Sequence, residues 1–256
     1  MSAARAARDL WVVVPAFNEE RWIGGLLAGL AAQQDARFSL VVVDNASADR
    51  TAAVVREFAA AHPDMRVEVV DEPQKGTGAA ADTGMRHAIA QGAKRLARTD
   101  ADCVPAPDWT ARVGAAFESG LDLVSGQIIP RTDEGVSWLD RSVTGLAVEA
   151  ASLFGKIRKG NRGPQYLGPY MMTPGCNMAI AADLYLAAGG FPRTKIEDVH
   201  EDRALVNAVR TLTTRYGRRR DVRVLCSQRR VKAWGLRKTL AWYADHRYRP
   251  AVVDIR

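Results

Sequence analysis

The chain has 256 residues, 47% of them hydrophobic, and its 36 Lys and Arg against 29 Asp and Glu leave a net charge of +7. That size and apolar content predict one compact, soluble unit with a sizeable core. No run of about 18 uninterrupted apolar residues is present, and the N-terminal "MSAARAARDL" lacks the apolar centre of a signal peptide, so a transmembrane segment is excluded and a cytoplasmic protein expected.

In chain order, "LWVVVPAF" reads as a buried strand, after which Asn18, Glu19 and Glu20 open a helix with Ile23, Leu26, Leu27 and Leu30 on one face. "FSLVVVD" is the second strand, and Ser47 or Asp49 caps a helix through Val54, Val55 and Phe58. "MRVEVVDEP" is the third, leading through "QKGTG" into a helix that ends near Gly92. Repeated strand and helix with short joints predict an α/β fold with a mostly parallel, Rossmann-like central sheet and helices on both faces.

From about residue 121 the rhythm changes to a strand-like "LDLVSGQIIP", a helical stretch from Trp138 to Phe154, and a Gly-, Pro- and Tyr-rich loop over 160–175. A loop that long is expected to be functional or disordered. This second half is mixed, and with no evident linker the expectation is a single domain over 1–256. The change of rhythm divides that domain into halves of about 10–130 and about 131–256.

Three acidic positions end three successive predicted strands: Asp44, Asp71 and the pair Asp100 and Asp102 in "TDADC". Ligands of open parallel sheets bind beyond the carboxyl ends of strands, and two carboxylates spaced i and i+2 on a turn suit a hard cation such as Mg2+ or Mn2+ shared with substrate phosphates. Read alone, the pair is better explained as the start of a turn before the prolines. Residues 210–238 hold eleven Lys or Arg and one acid, Asp221, a block that suits either an anionic partner or a solvated face. Cys103, Cys176 and Cys226 are far apart with no C-x-x-C pair, which predicts buried free thiols rather than zinc or a redox couple.

The ordered set "VVVPAFNEE", "VVVDNASADRT", "TDADC", "TPGCNMAI", "GGFP", "EDRAL" and "CSQRR" resembles the family-2 glycosyltransferases with the GT-A fold, over roughly residues 10–240. The resemblance implies an inverting transfer of a sugar from a UDP- or GDP-sugar donor to an acceptor hydroxyl. It implies that Pro15, Phe17 and Glu19 line the base and ribose pocket, that Asp44 accepts from a base N–H, that Asp100 lies near the ribose, and that Asp102 binds the metal. Gly175 and Asn177 of "GCN", with Glu201, would face sugar or acceptor. The family's Arg-Asn pair before a glycine is replaced by Ala81 and Asp82 before Gly84, which leaves Lys75 as the nearby cation for base or phosphate. Arg229 and Arg230 are candidates for the diphosphate, because guanidinium matches phosphate oxygens in pairs.

The base of the family is the aspartate of an E-D motif, and "IEDVHEDRALVNAV" holds two, Glu197-Asp198 and Glu201-Asp202. The family places an apolar anchor three residues after that aspartate; Leu205 meets this for Asp202, which leaves Asp198 as a loop or acceptor contact. His200 is a further metal-ligand candidate. A small-molecule acceptor is preferred to a lipid-linked one reached through the basic face, the latter placing the protein peripherally at a membrane. The competing readings are a sugar-phosphate nucleotidyltransferase, whose glycine-rich loop is replaced here by "PAFNEE", and a basic nucleic-acid-binding protein, which would not need acids at strand ends.

Overall fold

The structure, a computed structural model, describes residues 9–135, 155, 159–193, 200–235, 238 and 239. The predicted helix from Trp138 to Phe154 and the pair Glu197-Asp198 lie outside these residues. Eight strands form one sheet: β1 (Leu10–Ala16), β2 (Phe38–Asp44), β3 (Arg66–Asp71), β4 (Arg95–Thr99), β5 (Val104–Pro105), β6 (Leu123–Pro130), β7 (Asn177–Ala181) and β8 (Tyr216–Cys226). Their order is β3-β2-β1-β4-β7-β6-β8-β5. The first four are mutually parallel, as the alternation of strand and helix predicts, whereas β7 runs antiparallel to both β4 and β6. The change of rhythm after residue 121 thus marks the mixed half of the sheet.

Alternate residues of the central strands feed two cores. Val12, Val14, Leu40 and Val42 pack on one side with Leu26 and Leu27 of α1 (Ile23–Ala31) and with Trp109, which opens α4 (Trp109–Glu118). Trp11, Val13, Val41 and Val43 pack on the other with Met85 of α3 (Thr77–Ala90) and with Tyr185 of α5 (Ala182–Ala187). Helix α2 (Thr51–Ala61) turns Val55 inward, with Val54 and Phe58 at the margin. Two-sided coverage explains why β1 and β2 read as continuous apolar runs rather than alternating ones.

Helix α1 starts later than Asn18 suggests, because the residues before it are spent on joining two loops. Asn18, at φ 53°, donates its backbone N–H to Ser47 Oγ and accepts the Ala48 N–H on Oδ1, while Glu19 N–H donates to Thr51 Oγ1 at 2.7 Å. Neither expected cap sits at the N-cap of α2, which is Arg50; Asp49, one residue earlier, accepts the Thr51 N–H at 2.9 Å, and Ser47 belongs to the Asn18 joint.

The loop over 160–175 is held from within. Arg210, nearly fully buried, donates to the carbonyls of Asn161 and Gly168 at 3.0 and 2.9 Å and lies 4.0 Å over the Tyr166 ring. Much of the basic block is likewise consumed by structure: Arg215 pairs with Asp122 and Arg219 with Asp221.

Helix α3 crosses the sheet closely at Gly84, where a Cβ would collide with the side chains of Val13 and Val43. Gly84→Ala is therefore expected to lower stability by about 1–3 kcal/mol, the usual cost of overpacking a core. Urea unfolding checks this, and an unchanged midpoint would show that the helix can move off the sheet.

Candidate functional site

The parallel strands end level, with Ala16 beside Asp44 and Asp44 beside Asp71, so their loops share one rim. Asn45, the residue after β2, organises that rim. Its Nδ2 donates to the carbonyls of Glu72 and Gln74, and its Oδ1 accepts the Gly76 N–H, each at 2.8 Å. Beside it, Oδ1 of Asp44 is buried and, among the described residues, has no hydrogen-bond partner, which makes it an acceptor suited to an N–H from a ligand. Lys75 sits over the Phe17 ring at 5.4 Å. Asp82, standing where the family has asparagine, is a buried anchor: it accepts from Tyr185 Oη at 2.8 Å and pairs with Arg86.

Strand β4 carries the next group. Arg98 is 1% exposed, and its Nη2 donates to Glu201 Oε1 at 3.2 Å and lies 3.4 Å from Asp100 Oδ1. One cation thereby ties Asp100, just past the strand end, to the start of α6 (Glu201–Val209), which also carries Asp202. A Cβ at Gly175 would come within 2.9 Å of the Arg98 guanidinium, so Gly175 makes room for that arginine. Leu205, Val206 and Val209 are buried and fix the helix, in agreement with the register read from the sequence.

Burial pushes the Asp100 carboxyl up to about 7, against the pull of Arg98. Asp202 is also pushed up to about 7, by burial first and by the adjacent Glu201 charge second; the Arg203 N–H, Arg98 and the Gly175 backbone oppose this. A carboxylate poised near neutrality on a rigid helix end can accept a proton from a hydroxyl.

Arg229, in the first turn of α7 (Arg229–Trp234), makes a two-pronged pair with Glu19 at 2.7 and 2.8 Å and reaches Asp102 Oδ2 at 3.1 Å. The expected diphosphate ligand is thus also the internal counter-ion of two cleft acids. Arg229→Ala is expected to cost roughly 3 kcal/mol of stability, since it removes the two-pronged partner of the buried Glu19 carboxylate. A thermal melt checks this, and an unchanged melting temperature would show that the fold does not depend on the Arg229–Glu19 pair.

One cleft above the sheet is lined by Pro15, Phe17, Glu19, Asp100, Asp102, Arg229 and Arg230, together with Asn45, Thr77 and Ser227. Seven expected site residues therefore meet in one place. Asp44, Lys75, Gly175, Asn177, Glu201 and Asp202 are not in that lining. Asn177 is the clearest departure from expectation. It is wholly buried, accepts from Trp109 Nε1 at 2.9 Å and donates to the carbonyls of Gln127 and Val222, so its side chain pins strands rather than facing a sugar. His200 directly precedes α6 and, among the described residues, is not grouped with other metal-ligating side chains. The three cysteines, distant in sequence, converge on this cleft: Cys226 Sγ lies 3.1 Å from Cys103 Sγ and 3.5 Å from Cys176 Sγ.

A strand-end rim, an acidic pair just past the end of β4 and the cleft they line describe an α/β domain of the GT-A type. Residues 11–183 match the family model described as "Glycosyl transferase family 2", and the chain belongs to that family. Glycosyltransferase AglE of Haloferax volcanii is 29% identical over 209 residues, covering 79% of this chain and 62% of that protein. Polyprenol monophosphomannose synthase of Mycolicibacterium smegmatis is 32% identical over 126 residues, 49% of this chain and 47% of that one. The chain thus spans roughly half to three-fifths of the length of these two relatives. The mannosyltransferase PcManGT of Pyrobaculum calidifontis, solved with GDP-Man and Mn2+, superposes with a TM-score of 0.61 at 27% identity, over 86% of this chain and 56% of that one. TarS of S. aureus, solved with UDP-GlcNAc, shares the fold at a TM-score of 0.63 and 18% identity, over 86% and 58%. Among the described residues no helix is long and apolar enough to cross a membrane.

Proposed function

We propose that this domain transfers a hexose, with inversion, from a nucleoside diphosphate donor to an acceptor hydroxyl. The observation that carries the reading is the link from β4 to α6, where Arg98 holds Asp100 and Glu201 together next to Asp202. That link supports a base near the donor cleft, because Asp100 lines the cleft and Asp202 adjoins Glu201. In this reading Phe17 and Pro15 take the base, Asp44 accepts its N–H, and Arg230 meets the diphosphate. Lys75 supplies further positive charge at the same rim.

Asp102 is suited to hold Mg2+ or Mn2+. It offers hard carboxylate oxygens to the cleft, and Arg229 already places a cation 3.1 Å from one of them. Such an ion, when bound, neutralises the leaving diphosphate. The complex of PcManGT with GDP-Man and Mn2+ supports both the donor class and the metal. Asp202 would take the proton of the acceptor hydroxyl as the new bond forms and keep it on its carboxylate until product leaves. Arg98 and the Gly175 backbone hold that carboxylate's surroundings in place.

A second reading has a lipid-borne phosphate as acceptor. Relatives bear the names polyprenol monophosphomannose synthase, dolichyl-phosphate hexose transferase and undecaprenyl-phosphate 4-deoxy-4-formamido-L-arabinose transferase, which weighs against the preference for a small molecule. Chemistry separates the two: a phosphate oxygen is already ionised at neutral pH and needs no base, whereas a hydroxyl does. Calorimetry of the chain against GDP and UDP with and without Mn2+ tests the donor assignment, and no binding of either would sink it. Turnover of the bound donor with polyprenyl phosphate and with hydroxyl acceptors then decides between the acceptors.

A further inference from the structure

We infer that Cys103, Cys176 and Cys226 form a site for one thiophilic metal ion of the zinc class, set in the wall of the donor cleft and separate from the carboxylate site. The three thiols come from three different places in the sheet. Cys103 lies in the turn between β4 and β5, Cys176 in the turn that enters β7, and Cys226 is the last residue of β8. All three sulfurs lie within 4.8 Å of one another. Sulfurs that share an ion at about 2.3 Å sit about 4 Å apart, so the measured separations of 3.1 and 3.5 Å need to open by less than about 1 Å.

Three observations favour an ion over a disulfide or an inert core. A disulfide would join only two of the thiols and leave the third beside it, whereas one ion engages all three. Cys103 and Cys226 are buried at the edge of the apolar core, but each of the three residues lines the cleft and Cys176 is partly exposed, which gives an ion a way in. Asp102 Oδ1 lies 3.5 Å from Cys103 Sγ and adds negative charge next to a bound cation. Binding converts thiols to thiolates and releases their protons to solvent, leaving three sulfur charges on the divalent ion. Soft sulfur ligands select zinc-like ions over Mg2+ and Mn2+, so the two sites would sort metals by ligand chemistry although they are neighbours.

The test uses the full chain, reduced and stripped of metal, titrated with Cd2+ as an optical stand-in for Zn2+. The expected result is a sulfur-to-cadmium charge-transfer band in the ultraviolet that saturates at one equivalent, with three reactive thiols before addition and none after. Cys176→Ser, the change least disruptive to packing, is expected to weaken Cd2+ by more than the roughly tenfold that loss of an outer-shell partner costs. Asp102→Asn is expected to keep the band, so failure here is distinguishable from failure of the glycosyltransferase reading. A band that does not saturate at one equivalent, a Cys176→Ser variant that binds Cd2+ like wild type, or three thiols equally reactive with and without Cd2+ would each overturn the site. So would a Cys103–Cys226 disulfide that persists under the reducing conditions. Thiol counting on the unmodified chain keeps the test informative even if the variant fails to fold.

Discussion

Asp202→Asn is expected to bind GDP or UDP as the wild type does and to turn over about 100-fold more slowly or worse with a hydroxyl acceptor, the scale set by removal of a general base. The amide is nearly isosteric and can still accept the Arg203 N–H, which Asp202 Oδ1 takes at 2.6 Å, so α6 should keep its start. Leu205, Val206 and Val209 anchor the same helix in the core, and their packing does not depend on the carboxylate. The pH dependence follows from the groups around Asp202. Burial and Glu201 raise its proton affinity, while Arg98 and the Arg203 N–H lower it, for a net position near 7 against 3.8 for the free side chain.

Wild-type turnover is therefore expected to fall as pH drops through about 7, where the base becomes protonated. The stability sign is opposite. The folded state binds the Asp202 proton more tightly than the unfolded chain, so this group's contribution to stability declines as pH rises from about 4 to about 7. Asn removes that decline, and melting temperatures at pH 5 and pH 8 should converge relative to wild type. Loss of donor binding in Asp202→Asn would move the residue out of the role of base. A loss under about tenfold with polyprenyl phosphate, alongside a large one with hydroxyl acceptors, would identify the phosphate as the native nucleophile.

How far the sequence announced this site depends on whether the signal was local. The register that ranks Asp202 over Asp198 comes from the family resemblance, which puts an apolar anchor three residues after the aspartate, and Leu205 is buried at that position. The parallel half of the sheet follows from apolar runs separated by helical periods, and the faces of α1 and α2 were legible for the same reason. What escaped is what only the sheet brings together. Arg98 sits in "RLART" as a charged residue inside a buried strand, and that misplacement was its one local signal. Asn45 follows the more conspicuous Asp44 and gave no sign that it fastens the third loop. The cysteines lack any spacing pattern because β4, β7 and β8 deliver them from positions more than 40 residues apart. Asn177 misled in the other direction: a motif position implied a ligand contact, but the Trp109 indole and two strand carbonyls use its amide first.

Asp102→Asn is expected to abolish the gain in nucleotide affinity that Mn2+ gives, while affinity for the nucleotide alone stays close to wild type. The reason is electrostatic. A hard divalent ion shared between a diphosphate and few protein oxygens depends on the formal charge of each carboxylate, and an amide supplies an oxygen without that charge. Arg229 keeps its two contacts to Glu19 when Asp102 is neutralised, so the base and ribose side of the cleft should hold its shape. Turnover should fall by orders of magnitude, because the charge on the leaving diphosphate is no longer offset by the metal. Chelation of the wild type should mimic the variant, and Mn2+ or Mg2+ should reverse it. Zn2+ is a discriminating control: the neighbouring thiols prefer it to either hard ion, so a recovery seen only with Zn2+ would assign the requirement to sulfur rather than to Asp102. Near-normal turnover in excess chelator would remove the metal from the mechanism and leave Arg229 and Arg230 as the charges on the diphosphate.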